Sequence, residues 1–275
     1  MKTRVISATI AIALLILVLA FSSTVILPIA LALLGLIAVY EIFTVSKATN
    51  NIILLVASAL YVIATPVITY ISGSMNFALI LALFIYLMLF AVSMLMYFNK
   101  TNIVRSFFSA LLVMLFAFST GACVELINKE KAAYYFVIAA LCAWVTDTAA
   151  LFVGKYFGSR KLAPVLSPNK TVEGALGGVI FCVLISVLYS LFHTLFLNTD
   201  VSKVPNFVAI LFVPLVASVI GIIGDLFFSA IKRYFNIKDY GNIMPGHGGV
   251  LDRFDSFIFT SSFIAIIVRY IPLIG

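Results

Sequence analysis

Three aspartates near the C-terminal end of a very apolar chain, Asp225, Asp252 and Asp255, frame the chemistry that this sequence can support. Asp225 closes the run Gly221-Ile-Ile-Gly224-Asp225, and at helical spacing Ser229 and Lys232 follow on its face, with Arg233 beside them. A carboxylate at mid-membrane costs roughly 2.5–3.5 kcal/mol and less near the interface, so it is retained where it pairs or holds a cation. Pairing with Ser229, Lys232 or a neighbouring helix accounts for Asp225 as well as a metal does. Asp252 and Asp255 stand three residues apart and share a face of a helix's first turn. Asp255 followed by Ser256 also suits a helix N-cap. Several carboxylates at one membrane level are the oxygen-rich setting of Mg²⁺, which completes its shell with water and substrate phosphates. A metal role is the reading for Asp252.

The residues around these acids suit polyphosphate. From Ser229 to Asp255 the chain carries four basic residues, three aspartates, one of its two histidines and four of its fifteen glycines. Within it, Pro245-Gly246-His247-Gly248-Gly249 can expose consecutive backbone N–H groups as a concave nest for phosphate oxygens. A tight re-entrant turn would need the same glycines. A second polar stretch holds Gly154-Lys155, Gly158-Ser159-Arg160-Lys161, Ser167-Pro-Asn-Lys170-Thr171 and Glu173-Gly174. Its Ser-x-x-Lys lacks the partner motifs of penicillin-recognising enzymes, and no P-loop or G-x-G-x-x-G spacing occurs. Asp147 lies about two turns inside a span that ends on the same side and can face the cavity of Asp225. Glu125 reads as structural and His193 as a core histidine, while Glu41 lacks polar neighbours in the sequence and is left unassigned.

The elements that must position these groups are membrane helices. Of 275 residues, 64% are hydrophobic and only 10% charged, whereas soluble domains are about a quarter charged. Apolar runs long enough to span a bilayer recur throughout, without the alternation of barrel strands. The expected fold is therefore all-α, a polytopic bundle with cytoplasm-facing polar loops. It has about nine spans: 5–21, 25–45, 52–72, 75–97, 103–126, 132–153, 176–196, 204–228 and 255–273. The first could pass for a secretory signal, but a second span follows at once and a helical hairpin explains both. With the N-terminus inside, thirteen Lys and Arg fall on the inner side and four (Lys129, Lys131, Lys203, Arg269) on the outer. That asymmetry predicts cytoplasmic loops at 154–175 and 229–255. The first 150 residues hold three glycines and the last 125 hold twelve, which divides a membrane-embedding part, 1–130, from a working part, 131–275. Cys123, Cys142 and Cys182 are scattered without CxxC spacing and read as small core residues. One Trp and 17 basic residues argue against a nucleic-acid partner; the net charge of +7 suits anionic lipid or phosphate.

The two polar stretches together resemble the phosphatidate cytidylyltransferases, or CDP-diacylglycerol synthases. The family signature S-x-x-K-R, K-D, P-G-H-G-G-x-x-D-R-x-D appears as Ser229, Lys232-Arg233, Lys238-Asp239, Pro245 to Gly249, Asp252-Arg253 and Asp255, with spacing intact. A second block matches at Trp144, Asp147, Ala150, Gly154-Lys155, Ser167-Pro168, Lys170-Thr171 and Glu173-Gly174, with Leu151 where the family usually has Tyr. The resemblance covers roughly 140–260. It implies transfer of CMP from CTP to phosphatidate with release of pyrophosphate, at the inner face of a bacterial cytoplasmic membrane. It also implies Asp225 and Asp252 as Mg²⁺ ligands, with Asp255 and Asp147 as outer ligands or holders of a second cation. Lys232, Arg233 and Arg253 would hold phosphates, Ser229 would support the site, and His247, Gly248 and Gly249 would shape the nucleotide pocket. Ser167, Lys170 and Thr171 are further candidates for substrate phosphates. CTP, phosphatidate and membrane lipid are the expected partners, and a homodimer is compatible. A CTP-dependent polyprenol-type kinase would share this chemistry but release CDP. An ion-coupled transporter would instead place its acids near the midplane and often in repeats.

Overall fold

In the computed structural model the described residues are 24–98, 100, 102–127, 132–197, 206–243 and 248–274. The helices are α1 (Ile26–Ser46), α2 (Ile52–Ser72), α3 (Phe77–Met96), α4 (Ile103–Ile127), α5 (Ala132–Ala140), α6 (Thr146–Phe157), α7 (Val172–Phe192), α8 (Phe207–Tyr234) and α9 (Leu251–Ile267). A π-helical turn, Leu141–Val145, fuses α5 to α6, and another, His193–Leu197, extends α7. Asparagine starts several of them. Asn51, Asn76, Asn102 and Asn206 each accept a backbone N–H one turn or less into the helix, at 3.0–3.2 Å, so apolar runs begin where an amide can satisfy the first orphan donors.

Among the described residues seven helices are long and apolar enough to cross a membrane, with α5 and α6 counted as one, and they make this a multi-pass membrane protein. The expected count of nine is not reached among them. The expected span at 5–21, with its alternative reading as a signal, lies outside the described residues. The expected span at 255–273 is instead the 17-residue α9, which starts four residues earlier and stops at Ile267. At 1.5 Å per residue it covers about 25 Å, short of a 30 Å hydrocarbon core.

The loop expected at 154–175 is also shorter than predicted, and it is not wholly irregular. Helix α6 runs to Phe157, α7 begins at Val172, and between them lie two antiparallel strands, β1 (Lys161–Ala163) and β2 (Ser167–Thr171). Lys161 pairs with Thr171 and Ala163 with Ser167. The helical bundle stands, and among the described residues this one small hairpin is added to it.

The chain forms two compact units: Met1–Glu130 with Tyr234–Phe254, and Lys131–Arg233 with Asp255–Gly275. In the first, α1, α2 and α4 pack on one another and α3 lies on α2. Buried hydroxyls and amides join them: Ser109 Oγ donates to Ser46 Oγ (2.7 Å), Asn51 Nδ2 donates to Ser93 Oγ (3.3 Å), and Ser58 bonds Tyr86 (3.1 Å). Between helices in lipid such bonds add to dispersion, because no hydrophobic force drives them together. In the second unit α6 and α7 approach closely. A Cβ on Gly178 would lie 2.7 Å from the carbonyl oxygen of Thr146, so only glycine fits there.

Candidate active site

In the second unit the two polar blocks of the sequence meet. Helix α6 presents Asp147 directly after the π-helical turn, a distortion that redirects side chains and often marks functional sites. Its Oδ2 accepts a hydrogen bond from Ser256 Oγ of α9 at 2.8 Å. Strand β2 brings Lys170 to Asp225 of α8, where they form an ion pair that keeps some solvent access, at 25% and 19% exposure. Ser229, one turn along α8, donates to Asp225 Oδ1 at 3.3 Å. Asp147, Asp225 and Asp255 act on one another electrostatically, and Lys170 and Lys232 act on the same group. Helices α8 and α9 come together at Gly224, where a Cβ would meet the Phe259 ring at 2.6 Å.

The hairpin that delivers Lys170 is held at both ends. Thr171 caps α7 by accepting from the Gly174 N–H at 3.1 Å, so its hydroxyl serves the helix start. Glu173 accepts from Ser159 Oγ (2.6 Å) and from the N–H groups of Ser159 and Arg160 (3.1 Å). Arg233, exposed at the end of α8, donates from Nε to the Leu166 carbonyl at 3.3 Å.

In the first unit Asp252 lies in the first turn of α9 and gathers the preceding loop. Its Oδ2 accepts from the N–H groups of Tyr240 (2.7 Å) and Gly249 (3.0 Å). Gly248 has φ +83°, and a Cβ there would also lie 2.9 Å from that oxygen. The start of α9 is capped from far away. The two Glu41 carboxylate oxygens accept from Val250 N (2.9 Å) and Leu251 N (3.0 Å), and Glu41 is only 1% exposed. A Cβ on Gly241 would meet Glu41 Oε1 at 2.7 Å. This corrects two readings. Asp255 is the fifth residue of α9, not its N-cap, and Glu41 has polar partners after all, 209 and 210 residues along the chain.

The predicted residues thus separate by unit. Asp147, Asp225, Asp255, Ser229, Lys232, Arg233, Ser167, Lys170 and Thr171 belong to the second, and Asp252, Arg253, Gly248 and Gly249 to the first. Ser167 sits in β2, and Arg253 is exposed on α9. His247 lies outside the described residues. Sequence reasoning paired Asp225 with Ser229, Lys232 or a neighbouring helix but did not find Lys170, because a contact spanning 55 residues has no local signal. Of the residues left aside, Glu125 accepts from the Met75 N–H at 3.2 Å, and His193 packs on the Tyr134 ring at 4.8 Å. The three cysteines are buried thiols, as expected of small core residues.

Residues 2–271 match the model of the cytidylyltransferase family. This chain belongs to that family. It is 41% identical to the phosphatidate cytidylyltransferase of Bacillus subtilis (strain 168) over 158 residues, which is 55% of each chain. It is 47% identical over 132 residues to that of Staphylococcus aureus (strain COL), and 42% to that of Staphylococcus epidermidis (strain ATCC 12228), 48% of each chain in both comparisons. The aligned part therefore spans about half the length of these relatives.

The donors near Asp225 are all oxygen, the set Mg²⁺ takes. Among the described residues no three His, Cys, Asp or Glu side chains stand close enough to hold an ion by themselves. Three carboxylates, Asp147, Asp225 and Asp255, influence one another there, against Lys170 and Lys232.

Proposed function

We propose that this protein is a phosphatidate cytidylyltransferase of a bacterial cytoplasmic membrane, with its active site on the cytoplasmic side. A phosphate oxygen of phosphatidate attacks the α-phosphorus of CTP, the bond from that phosphorus to the bridging oxygen breaks, and pyrophosphate leaves with CDP-diacylglycerol as the lipid product. The observation that carries the reading is the convergence of Asp147 and Lys170 from one motif block with Asp225 and Ser256, which flank the other. Family membership and the relatives' names support it.

Phosphoryl chemistry asks little covalent work of a protein; it asks for positioning and for charge to offset the developing negative charge. Asp225 with Asp147 or Asp255 would hold Mg²⁺, which supplies that neutralisation at the phosphates. Asp252 is a further candidate cation ligand on the strength of its place in the motif alone, and a second cation would suit the acidic set of Asp147, Asp225 and Asp255. Lys170 is poised to exchange its partner, from Asp225 to a substrate phosphate. Lys232, Arg233 and Arg253 offer further cations, and Arg233 also steadies the hairpin turn. Gly248 and Gly249 keep the loop backbone close to Asp252, and Ser229 orients Asp225.

The test is product analysis. Purified protein with Mg²⁺, labelled CTP and phosphatidate should yield CDP-lipid and pyrophosphate in equal amounts. CDP released beside a newly phosphorylated lipid alcohol would establish a CTP-dependent kinase instead.

A further inference from the structure

The turn of the β1–β2 hairpin is apolar where a turn in water would be polar. Ala163 and Ser167 pair across it, and the residues between them are Pro164, Val165 and Leu166, whereas turns in water draw on Gly, Asn, Asp and Ser. Val165 is 82% exposed. The chain entering the hairpin has the same character: Tyr156 and Phe157, the last two residues of α6, are 71% and 75% exposed. Cations surround this apolar surface. From Thr148 to Val172 the chain holds four basic residues and no acid. Lys170 is taken by Asp225, while Lys155, Arg160 and Lys161 are exposed and, among the described residues, in no ion pair. Lys155 Nζ lies 5.8 Å from the centre of the Tyr156 ring, so a cation and an aromatic close this span together, as at a membrane–water boundary.

Depth follows from the two helices that hold the hairpin. The span that ends at Phe157 has 25 residues and α8 has 28, which makes them about 37 and 42 Å long. A hydrocarbon core is about 30 Å thick and the bilayer with its headgroups about 40–45 Å, so both helices are long enough to end at headgroup level. The hairpin is tied to that end of α8. Arg233, one residue before its last, donates from Nε to the Leu166 carbonyl at 3.3 Å, and Lys170 pairs with Asp225. We propose that the β1–β2 hairpin is a membrane-interface anchor: the Pro164-Val165 turn and the Tyr156-Phe157 pair lie among lipid headgroups, and Lys155, Arg160 and Lys161 select anionic lipid. Apolar side chains gain by leaving water, and each cation gains from an anionic surface. Lys170, five residues past Val165, is thereby held near the level of lipid phosphates. The anchor is independent of which reaction the chain performs.

The test places a fluorophore on the turn. Val165→Cys, in a full chain lacking Cys123, Cys142 and Cys182, is labelled with an environment-sensitive dye and reconstituted in nanodiscs of phosphatidylcholine and phosphatidylglycerol. Its emission should lie to the blue of the dye in water, and lipid with a nitroxide at the headgroup should quench it more strongly than aqueous acrylamide. At equal fraction, nitroxide on phosphatidylglycerol should quench more than nitroxide on phosphatidylcholine. Arg160→Gln and Lys161→Gln should each lower that preference by up to about five-fold, the scale of one cation at an anionic surface. Quenching dominated by acrylamide makes the hairpin an aqueous loop and overturns the anchor. A label shielded from both quenchers is packed against protein, which overturns it too. Equal quenching by the two lipids, or a preference unchanged in both Gln variants, overturns the selection of anionic lipid by these cations. Should the cysteine-free chain fail to fold, the unmodified chain in the same nanodiscs is crosslinked to phosphatidylglycerol bearing a photoreactive headgroup. Adducts should map between Lys155 and Leu166, and their absence from that segment overturns the proposal.

Discussion

Asp225 and Glu41 are both carboxylates on membrane helices, yet their surroundings give them different tasks. Asp225 keeps 19% of its side-chain surface exposed and faces a lysine that a substrate phosphate could draw away. Asp225→Asn should keep its shape and its bond from Ser229 but lose the charge proposed to hold Mg²⁺. Activity should fall about a hundred-fold or more, and the residual rate should need more Mg²⁺. Asp252→Asn should behave likewise; near-full activity of both variants at limiting Mg²⁺ would defeat the carboxylate metal site. Glu41 spends both oxygens on two backbone N–H groups at the start of α9. Glu41→Ala leaves those donors buried and unpaired, at about 1–3 kcal/mol each, so thermal unfolding in detergent should show a loss of roughly 2–5 kcal/mol. Glu41→Gln, which retains one acceptor, should lose less. A Glu41→Ala protein that melts with wild type would remove the capping role.

Two short elements carry much of the site's geometry. The β1–β2 hairpin delivers Lys170, and Glu173 ties its entrance by bonds to Ser159 and Arg160. Glu173→Ala should free that entrance, so trypsin should nick faster after Arg160 or Lys161 while global unfolding changes little. Equal proteolysis rates would show that the strands hold the hairpin unaided. The turn before α9 depends on Gly248, whose positive φ costs an L-residue about 1–2 kcal/mol. A methyl group there also crowds Asp252, so Gly248→Ala should lower activity by more than that strain alone implies. If its activity matches wild type at equal stability, Asp252 does not need this loop geometry.

For the whole molecule the decisive quantity is sidedness. The thirteen-to-four distribution of Lys and Arg, counted over the nine expected spans, predicts that Ser159 and Asn242 lie on the cytoplasmic side. Single cysteines at these positions, in a background lacking Cys123, Cys142 and Cys182, should react only with reagent supplied from the cytoplasm. Labelling of either from outside intact cells would reverse the topology and move the active site to the wrong face for CTP. The number of membrane crossings does not decide this test. It asks on which side of the membrane the hairpin and the loop after α8 lie.

Composition and run length alone determined a helical membrane protein, because a bilayer admits few other ways to satisfy the backbone. The spacing of polar residues in two stretches was equally legible, since helical periodicity and glycine turns act over a few residues. Those stretches named most of the candidate site before any coordinate was known. Partners separated by long stretches of chain were not legible. Lys170 reaches Asp225 across 55 residues through a strand pair too short to predict, and Glu41 caps α9 from a helix more than two hundred residues earlier. The end of α1 and the start of α4 likewise line one cavity with the segment after α8. Such contacts are chosen by how helices pack, where small residues let backbones approach and buried carboxylates must find donors. Local sequence sets which groups need partners; the tertiary structure decided which ones they found.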